Sequence, residues 1–245
     1  MFNHRLEQKV SRIVVVHWFL LSFNGGAINA GGFLATGRFV SHVTGFATLF
    51  GVDATRASIS TAVGILSVPL FFLLGAFTAG ILIDRPVHLG KRPHFDWVMG
   101  ISAVCLLFAS GGSQIFNFGI FGEQIHLHQA YLLLVLLCLA SGLQNAAITS
   151  SSGKSVRTTH LTGLTTDLGL GLARIVSFGY SGAQKDAELR ANYLRIGSIA
   201  SFILGSAFGA YIFLKLEYVG FLIPAAISAY AAVQGRNASG SERSY

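Results

Sequence analysis

Residues 24–45 read NGGAINAGGFLATGRFVSHVTG, and residues 140–163 read ASGLQNAAITSSSGKSVRTTHLTG. The two blocks share a glycine and an asparagine near the start and a His-x-Thr-Gly motif at the end, about 116 to 118 residues apart. An arginine follows each block at the same spacing. The matched pairs are Gly26 and Gly142, Asn29 and Asn145, His42 and His160, Thr44 and Thr162, and Arg56 and Arg174. A duplicated polar block in an apolar chain is typical of transporters that build a central site from two repeats.

The composition indicates a protein of the lipid bilayer. Of the 245 residues, 52% are hydrophobic and only 11% are charged, and the mean hydropathy is +0.61. A soluble domain of this length carries about 25% charged residues. Glycine, with 29 residues, is abundant, as it is where transmembrane helices pack closely. We therefore predict an all-α, polytopic bundle of transmembrane helices.

Six segments are long and apolar enough to cross a membrane, which takes about 20 residues. They are residues 13–36, 60–83, 97–121, 129–150, 192–214 and 218–234. The first is expected to be a span and not a cleaved signal peptide, because its pattern recurs in the middle of the chain. Two partly apolar stretches, 39–56 and 158–180, are predicted to form short helices that are half-inserted or lie at the membrane surface.

The basic residues predict the orientation of these spans. With the N-terminus inside, only Arg38, Arg56 and Lys215 of the 17 Lys and Arg residues lie on the outer side. Cytoplasmic segments of membrane proteins are enriched in Lys and Arg. Both termini are therefore predicted to be cytoplasmic, as the tails 1–12 and 235–245, and the second tail is expected to be disordered.

The duplicated block divides the membrane domain into two three-span repeats, residues 13–122 and 129–234. Since three is odd, the second repeat enters the membrane from the opposite side. The sequence thus predicts a 3+3 inverted-topology repeat, whose halves are related by a pseudo-two-fold axis in the membrane plane.

Glycine is dense around Asn29, with four glycines between positions 25 and 32. Glycine weakens a helix, and freed backbone groups survive in a membrane where they line a cavity. We therefore predict broken first and fourth spans, with Asn29, Gln144 and Asn145 as deep ligands near the breaks. The alternative is that the glycines allow close helix crossing and the amides hydrogen-bond neighbouring helices.

The His-x-Thr-Gly motifs suit the start of a helix, where Thr44 and Thr162 would cap the exposed N–H groups. Such N–H groups, with the nearby basic residues, favour a small anion or a carboxylate-bearing solute. The predicted binding residues are Asn29, Arg38, His42, Thr44, Arg56, Gln144, Asn145, Arg157, His160, Thr162, Asp167 and Arg174. Asp167 and Asp53 are expected to pair with Arg174 and Arg56. The alternative for the basic residues of the second block is that they only mark the cytoplasmic membrane boundary.

Nothing in the sequence predicts a catalytic residue, a cofactor or a metal site. The chain has no HExxH motif, no Gly-x-Ser-x-Gly motif and no phosphate-binding loop. Cys105 and Cys138 lie in predicted spans, where we interpret them as small apolar side chains. The net charge of +7 and the pI near 9.7 do not indicate a nucleic-acid partner, because the basic residues lie in short segments between apolar runs.

The second block resembles the YoaK family of bacterial inner-membrane proteins, a domain of unknown function. The resemblance rests on GLQNAA at 142–147, VRTTHLTG at 156–163 and TDL at 166–168, and it extends from about residue 15 to 234. The first block departs from the family at Asn29, where aspartate is usual, and at Phe46, where asparagine is usual. The resemblance implies the fold family and an inner-membrane location, but no substrate. If the family's aspartate takes part in proton or cation coupling, the asparagine at position 29 argues against such coupling through the first block.

Three functions fit these observations. The first is a transporter or permease for a small solute, with a site between the two repeats. The second is a passive channel that uses the same residues. The third is a membrane scaffold or sensor in which the polar residues only pack helices. The expected partners are the lipid bilayer and an unidentified small molecule or ion, and the sequence is compatible with a homo-oligomer.

Overall fold

The computed structural model describes residues 11–56, 59–123, 127–153, 156–177, 179 and 181–241. These residues form helices and turns and contain no strand. The helices are α1 (Arg12–Thr36), α2 (Val43–Arg56), α3 (Ile59–Leu82), α4 (Asp84–His88), α5 (Phe95–Ser110), α6 (Gly112–Ile115), α7 (Leu127–Ser151), α8 (Leu161–Ser177), α9 (Gly182–Leu216) and α10 (Leu222–Ser241), with a 3-10 turn at Glu217–Phe221 between the last two.

Four helical stretches are long and apolar enough to cross a membrane. They are Arg12–Thr36, Val63–His88, Ala130–Ser151 and Gly182–Asn237, the last of which contains both α9 and most of α10. The predicted class of apolar helical bundle is therefore confirmed. The third predicted span is shorter than expected, because α5 ends at Ser110. Residues 111–121 instead hold α6 and a loop in which Asn117 takes a left-handed conformation, with φ 52°.

The four longest helices pack side by side in the order α9, α1, α7 and α3. Gly197 lies against Phe19 and Gly209 against Ala27, so α9 and α1 run in the same direction. The same holds for α3 and α7, where Ser67 hydrogen-bonds Tyr131 and Gly75 lies against Leu139.

The two central helices, α1 and α7, run in opposite directions. Gln144 of α7 donates to the Leu21 carbonyl of α1, whereas the earlier residue Leu137 lies beside the later residue Gly32. As residue numbers rise along α1, the contacted numbers fall along α7. The bundle therefore consists of two parallel pairs, α1 with α9 and α3 with α7, that point opposite ways.

The prediction of broken first and fourth spans is wrong. Helices α1 and α7 are each continuous over 25 residues. The glycines instead allow neighbouring helices to cross at close distance, which is the alternative given above. A Cβ on Gly26 would collide with the Phe202 carbonyl oxygen of α9, and one on Gly142 would collide with the Phe72 carbonyl oxygen of α3. Because the intrahelical hydrogen bonds persist, glycine here removes steric bulk and does not open the backbone.

The two short helices form where the sequence predicts them. α2 packs on α3 and α8 packs on α9, at the outside of the central row. The tail predicted to be disordered is partly helical, because α10 continues to Ser241. The helix continues past Gly235, which lies beside Phe95 and Asp96 of α5. The tail 1–12 lies outside the described residues except for its last two positions.

Candidate functional site

Asn29 anchors the loop that precedes α2, which we call loop 1 (residues 37–42). Its Oδ1 accepts hydrogen bonds from the Ser41 hydroxyl at 3.0 Å and the Ser41 backbone N–H at 3.4 Å. Asn29 is 6% exposed and Ser41 is 8% exposed. An asparagine within an apolar helix thus folds the following loop back against that helix.

Asn145 does the same for the loop that precedes α8, which we call loop 2 (residues 156–160). Its Oδ1 accepts from the Thr158 N–H at 3.1 Å, the Thr159 N–H at 3.3 Å and the Thr158 hydroxyl at 3.4 Å. Since backbone N–H groups require an acceptor, these contacts assign the amide orientation. Among the described residues, the Nδ2 groups of Asn29 and Asn145 donate to no partner.

Each loop reaches the middle of the central helix that belongs to the other block. The Cys138 thiol, near the midpoint of α7, donates to the Val40 carbonyl of loop 1 at 3.0 Å. On the other side, a Cβ on Gly25, near the midpoint of α1, would lie 2.9 Å from the Thr158 carbonyl of loop 2. Because α1 and α7 are long enough to cross a membrane, α2 and α8 begin near the centre of the bundle and not at its ends.

The two histidines of the duplicated motif occupy these helix starts. His42 ends loop 1 and His160 ends loop 2. His42 is exposed in the isolated chain. Loop 1 lies against the middle of α7 and loop 2 against the middle of α1. The structure therefore places both copies of the motif on the same central helix pair.

His160, and not Thr162, caps helix α8. The His160 Nδ1 accepts from the Gly163 N–H at 3.1 Å, which is the role of an N-cap side chain. The prediction that Thr44 and Thr162 supply the caps is wrong. Both threonines lie one residue inside their helices, where their carbonyls accept from Thr48 at 3.1 Å and Thr166 at 2.9 Å, and both are exposed. Their hydroxyls are therefore left for another partner.

Two arginines, Arg38 and Arg157, lie within the loops. Arg157 approaches His160 at 3.5 Å, from Nη1 to Nδ1. Arg38 of loop 1 is half-buried, and its Nη1 donates to the Thr36 carbonyl at 3.4 Å. Arg56 is the last residue of α2, and its side chain lies outside the described residues, as does its expected pairing with Asp53.

Gln144 belongs to a buried hydrogen-bond network, in which both its side-chain oxygen and its side-chain nitrogen already have a partner in the protein. Its Oε1 accepts from Asn24 Nδ2 at 3.0 Å and its Nε2 donates to the Leu21 carbonyl at 2.6 Å. Asn24 also donates to the Ser228 hydroxyl of α10 at 3.1 Å. Asn24, Gln144 and Ser228 are fully buried. Asn24 was not predicted as functional, although a lone polar residue in an apolar run is a recognisable signal.

Comparison with known protein families assigns the chain to one of them. A family model described as a protein of unknown function, DUF1275, matches residues 17–234. The chain belongs to the DUF1275 family. No curated protein and no solved structure matches it. The match spans both duplicated blocks of the DUF1275 protein, and the finer resemblance to the YoaK family stays a prediction.

Arg174 and Asp167 of the DUF1275 protein lie on α8 but do not pair with each other. Arg174 forms an ion pair with Glu188 of α9 at 3.4 Å, and Glu188 also binds Arg195 at 2.7 Å. Within the part of the chain that the structure describes, Asp167 has no ion pair. The predicted Asp167–Arg174 pair is therefore wrong, and Arg174 belongs to a contact between α8 and α9. No cluster of three His, Cys, Asp or Glu residues suited to a metal occurs among the described residues.

Glu188→Gln is expected to destabilise the DUF1275 protein by about 3 kcal/mol. The substitution leaves Arg195, whose side chain is 12% exposed, without its anionic partner, and an unpaired buried charge is costly. Unfolding in detergent measures the change. The matched control is Asp167→Asn, which removes an acidic residue that has no ion pair among the described residues and should change the free energy of unfolding by about 0.5 kcal/mol or less. Equal effects of the two substitutions would contradict this interpretation.

Proposed function

We propose that this DUF1275 protein is a multi-pass inner-membrane transporter for a small anionic solute, with its site where α2 and α8 begin. The observation that carries the proposal is that α2 and α8 both begin against the middle of the central helix pair, loop 1 through its contact with Cys138 of α7 and loop 2 through its contact with Gly25 of α1. Helix N-termini carry partial positive charge and free N–H groups. Two of them at one place make a site for negative charge.

The proposed architecture is a 3+3 inverted repeat of six spans with both termini in the cytoplasm. Corresponding residues of the two blocks make corresponding contacts, since Gly26 packs on Phe202 and Gly142 packs on Phe72. The anchoring of each loop by the matched asparagine follows the same pattern. The opposed directions of α1 and α7 also support it, because inverted halves place equivalent helices antiparallel. In this arrangement α2 runs toward the outer surface and α8 toward the cytoplasm.

The side chains around the two helix starts are mainly hydrogen-bond donors. The Nδ2 groups of Asn29 and Asn145 have no partner among the described residues, and Arg157 lies beside His160. Donors and a cation stabilise an oxygen-rich anion and disfavour a cation. We assign Asn29, Asn145, His42 and His160 to solute binding, with Arg157 and Arg38 as electrostatic attraction. The proposed site does not include Gln144, Arg174 or Asp167, and we propose no enzymatic role for the protein.

Uptake into proteoliposomes tests this function. Carboxylates and small inorganic anions, each radiolabelled, are compared with small cations of similar size. We expect saturable anion uptake that the double variant His42→Leu/His160→Leu reduces at least about tenfold, corresponding to about 1.4 kcal/mol of lost interaction. His160→Asn is the structural control, because asparagine preserves the N-cap of α8, and its midpoint of unfolding should stay near that of the parent.

The outcomes separate the three candidate functions. Saturable anion uptake lost in the double variant supports the transporter. Anion flux that never saturates and cannot run uphill would select the passive channel. Cation uptake unaffected by the double variant, or no uptake of any tested solute, would overturn the proposal in favour of another solute class or a scaffold.

A further inference from the structure

A long groove lies on the outside of the bundle between α5 and α10, away from the proposed transport site. Its volume is about 860 Å³. Most of its wall is apolar, and the residues that matter here are Trp97, Gly100, Val104, Phe108, Val233 and Arg236. Trp97, Val104, Phe108 and Val233 are each about half exposed or more. A groove of this composition in a membrane protein faces acyl chains.

One end of the groove carries a positive charge that has no ionic partner among the described residues. Asp96, an acidic residue in the lining, forms an ion pair with Arg92 at 3.7 Å. Arg236, on the opposite wall, is exposed and has no ion pair among the described residues. The acidic residue of the lining is thus already held by another arginine. The guanidinium of Arg236 is complementary to a phosphate.

The dimensions of the groove match one leaflet of a bilayer. Asp96 and Phe108 are twelve residues apart on α5, which is about 18 Å at 1.5 Å per residue. Half of the hydrocarbon core of a membrane is about 15 Å thick. Trp97 lies at the charged end, as tryptophan does at the membrane interface. The predicted orientation places this end at the cytoplasmic surface, where basic pockets bind anionic lipid head groups.

We propose that this groove is a binding site for one anionic phospholipid of the cytoplasmic leaflet. Arg236 binds the phosphate, Trp97 lies beside the glycerol region, and one acyl chain runs along Gly100, Val104 and Phe108. The proposal is independent of the transport function. It requires that the protein lies in a membrane in the predicted orientation and that the Arg236 guanidinium is available to a phosphate.

Native mass spectrometry of the full-length protein in detergent tests the site. The probes are phosphatidylglycerol and phosphatidylcholine with identical acyl chains. We expect phosphatidylglycerol to bind more tightly, and Arg236→Gln to weaken its binding about fivefold, which is the effect of one basic residue near an anionic surface. Lys215→Gln is the matched control, since it removes a cation near the C-terminal end of α9 that is not part of the groove lining, and we expect no change.

A second variant tests the groove itself. No atom lies near the position of a Cβ on Gly100, so Gly100→Leu fills the groove without a clash inside the protein. We expect Gly100→Leu to reduce the number of bound molecules of both lipids. Gly80→Leu is the control, because Gly80 on α3 also has open space around it, and we expect it to leave the binding of both lipids unchanged. The proposal is overturned if Arg236→Gln keeps the preference for phosphatidylglycerol, or if Gly100→Leu binds both lipids as the parent does.

Discussion

Gly26→Ala and Gly142→Ala are each expected to destabilise the bundle by about 3 kcal/mol. In both cases the new methyl group meets a backbone carbonyl of the neighbouring helix, Phe202 for Gly26 and Phe72 for Gly142. A backbone cannot turn aside as a side chain can, so the two helices must separate and lose contacts along their length. Thermal unfolding in detergent, followed by tryptophan fluorescence, measures the loss.

The controls are two glycines with open space around them. A Cβ on Gly80 or Gly100 meets no atom within 4 Å. Because alanine favours a helix over glycine by up to about 1 kcal/mol, Gly80→Ala and Gly100→Ala should leave the midpoint of unfolding unchanged or raise it. If all four substitutions had the same effect, the crossing glycines would not hold the helix pairs together.

Asn29→Asp and Asn145→Asp are expected to fold normally and to lose anion uptake at least about tenfold. The carboxylate still accepts the N–H groups of Ser41 or of Thr158 and Thr159, so each loop stays anchored. The substitution removes the free Nδ2 donor and adds a negative charge at the site. Repulsion between two like charges a few ångströms apart exceeds 1.4 kcal/mol at a partly buried site. Uptake and unfolding are measured on the same preparations.

Asn145→Ala separates anchoring from binding. It removes the acceptor of the Thr158 and Thr159 N–H groups, and each buried N–H without a partner costs about 1–3 kcal/mol. We therefore expect a clear loss of stability from Asn145→Ala and a much smaller one from Asn145→Asp. Normal anion uptake by both aspartate variants would contradict the assignment of these residues. Asn29→Asp also restores the residue that the YoaK family is expected to carry there.

Composition and periodicity predict most of the fold. The apolar runs determine the class, and helices α1, α3 and α7 begin and end close to the predicted segments. The prediction of a broken helix at the glycine cluster around Asn29 is wrong for a physical reason. Glycine weakens a helix and also lets helices cross, and the sequence alone does not say which, because the partner of Gly26 is Phe202, far along the chain.

Only part of the candidate site can be predicted from the sequence. The duplication identifies Asn29, Asn145, His42 and His160, because two copies of a motif mark equivalent places. It does not show that the asparagine oxygens bind the loops, since this depends on how far each loop folds back. The predicted ion pair between Arg174 and Asp167 is also wrong, because Arg174 pairs with Glu188. Glu188 lies on the next helix, and the closer acidic residue in sequence, Asp167, has no ion pair among the described residues.

We propose that α2 and α8 both start near the middle of the membrane and run to opposite surfaces. Gly51 of α2 and Gly169 of α8 are equivalent positions, both exposed and with no atom near a Cβ. Gly51→Cys and Gly169→Cys are made separately in a background of Cys105→Ala and Cys138→Ser, and intact spheroplasts and inverted vesicles are treated with a membrane-impermeant thiol reagent. We predict labelling of Gly51→Cys only in spheroplasts and of Gly169→Cys only in inverted vesicles. Labelling of both positions from the same side would contradict the inverted arrangement.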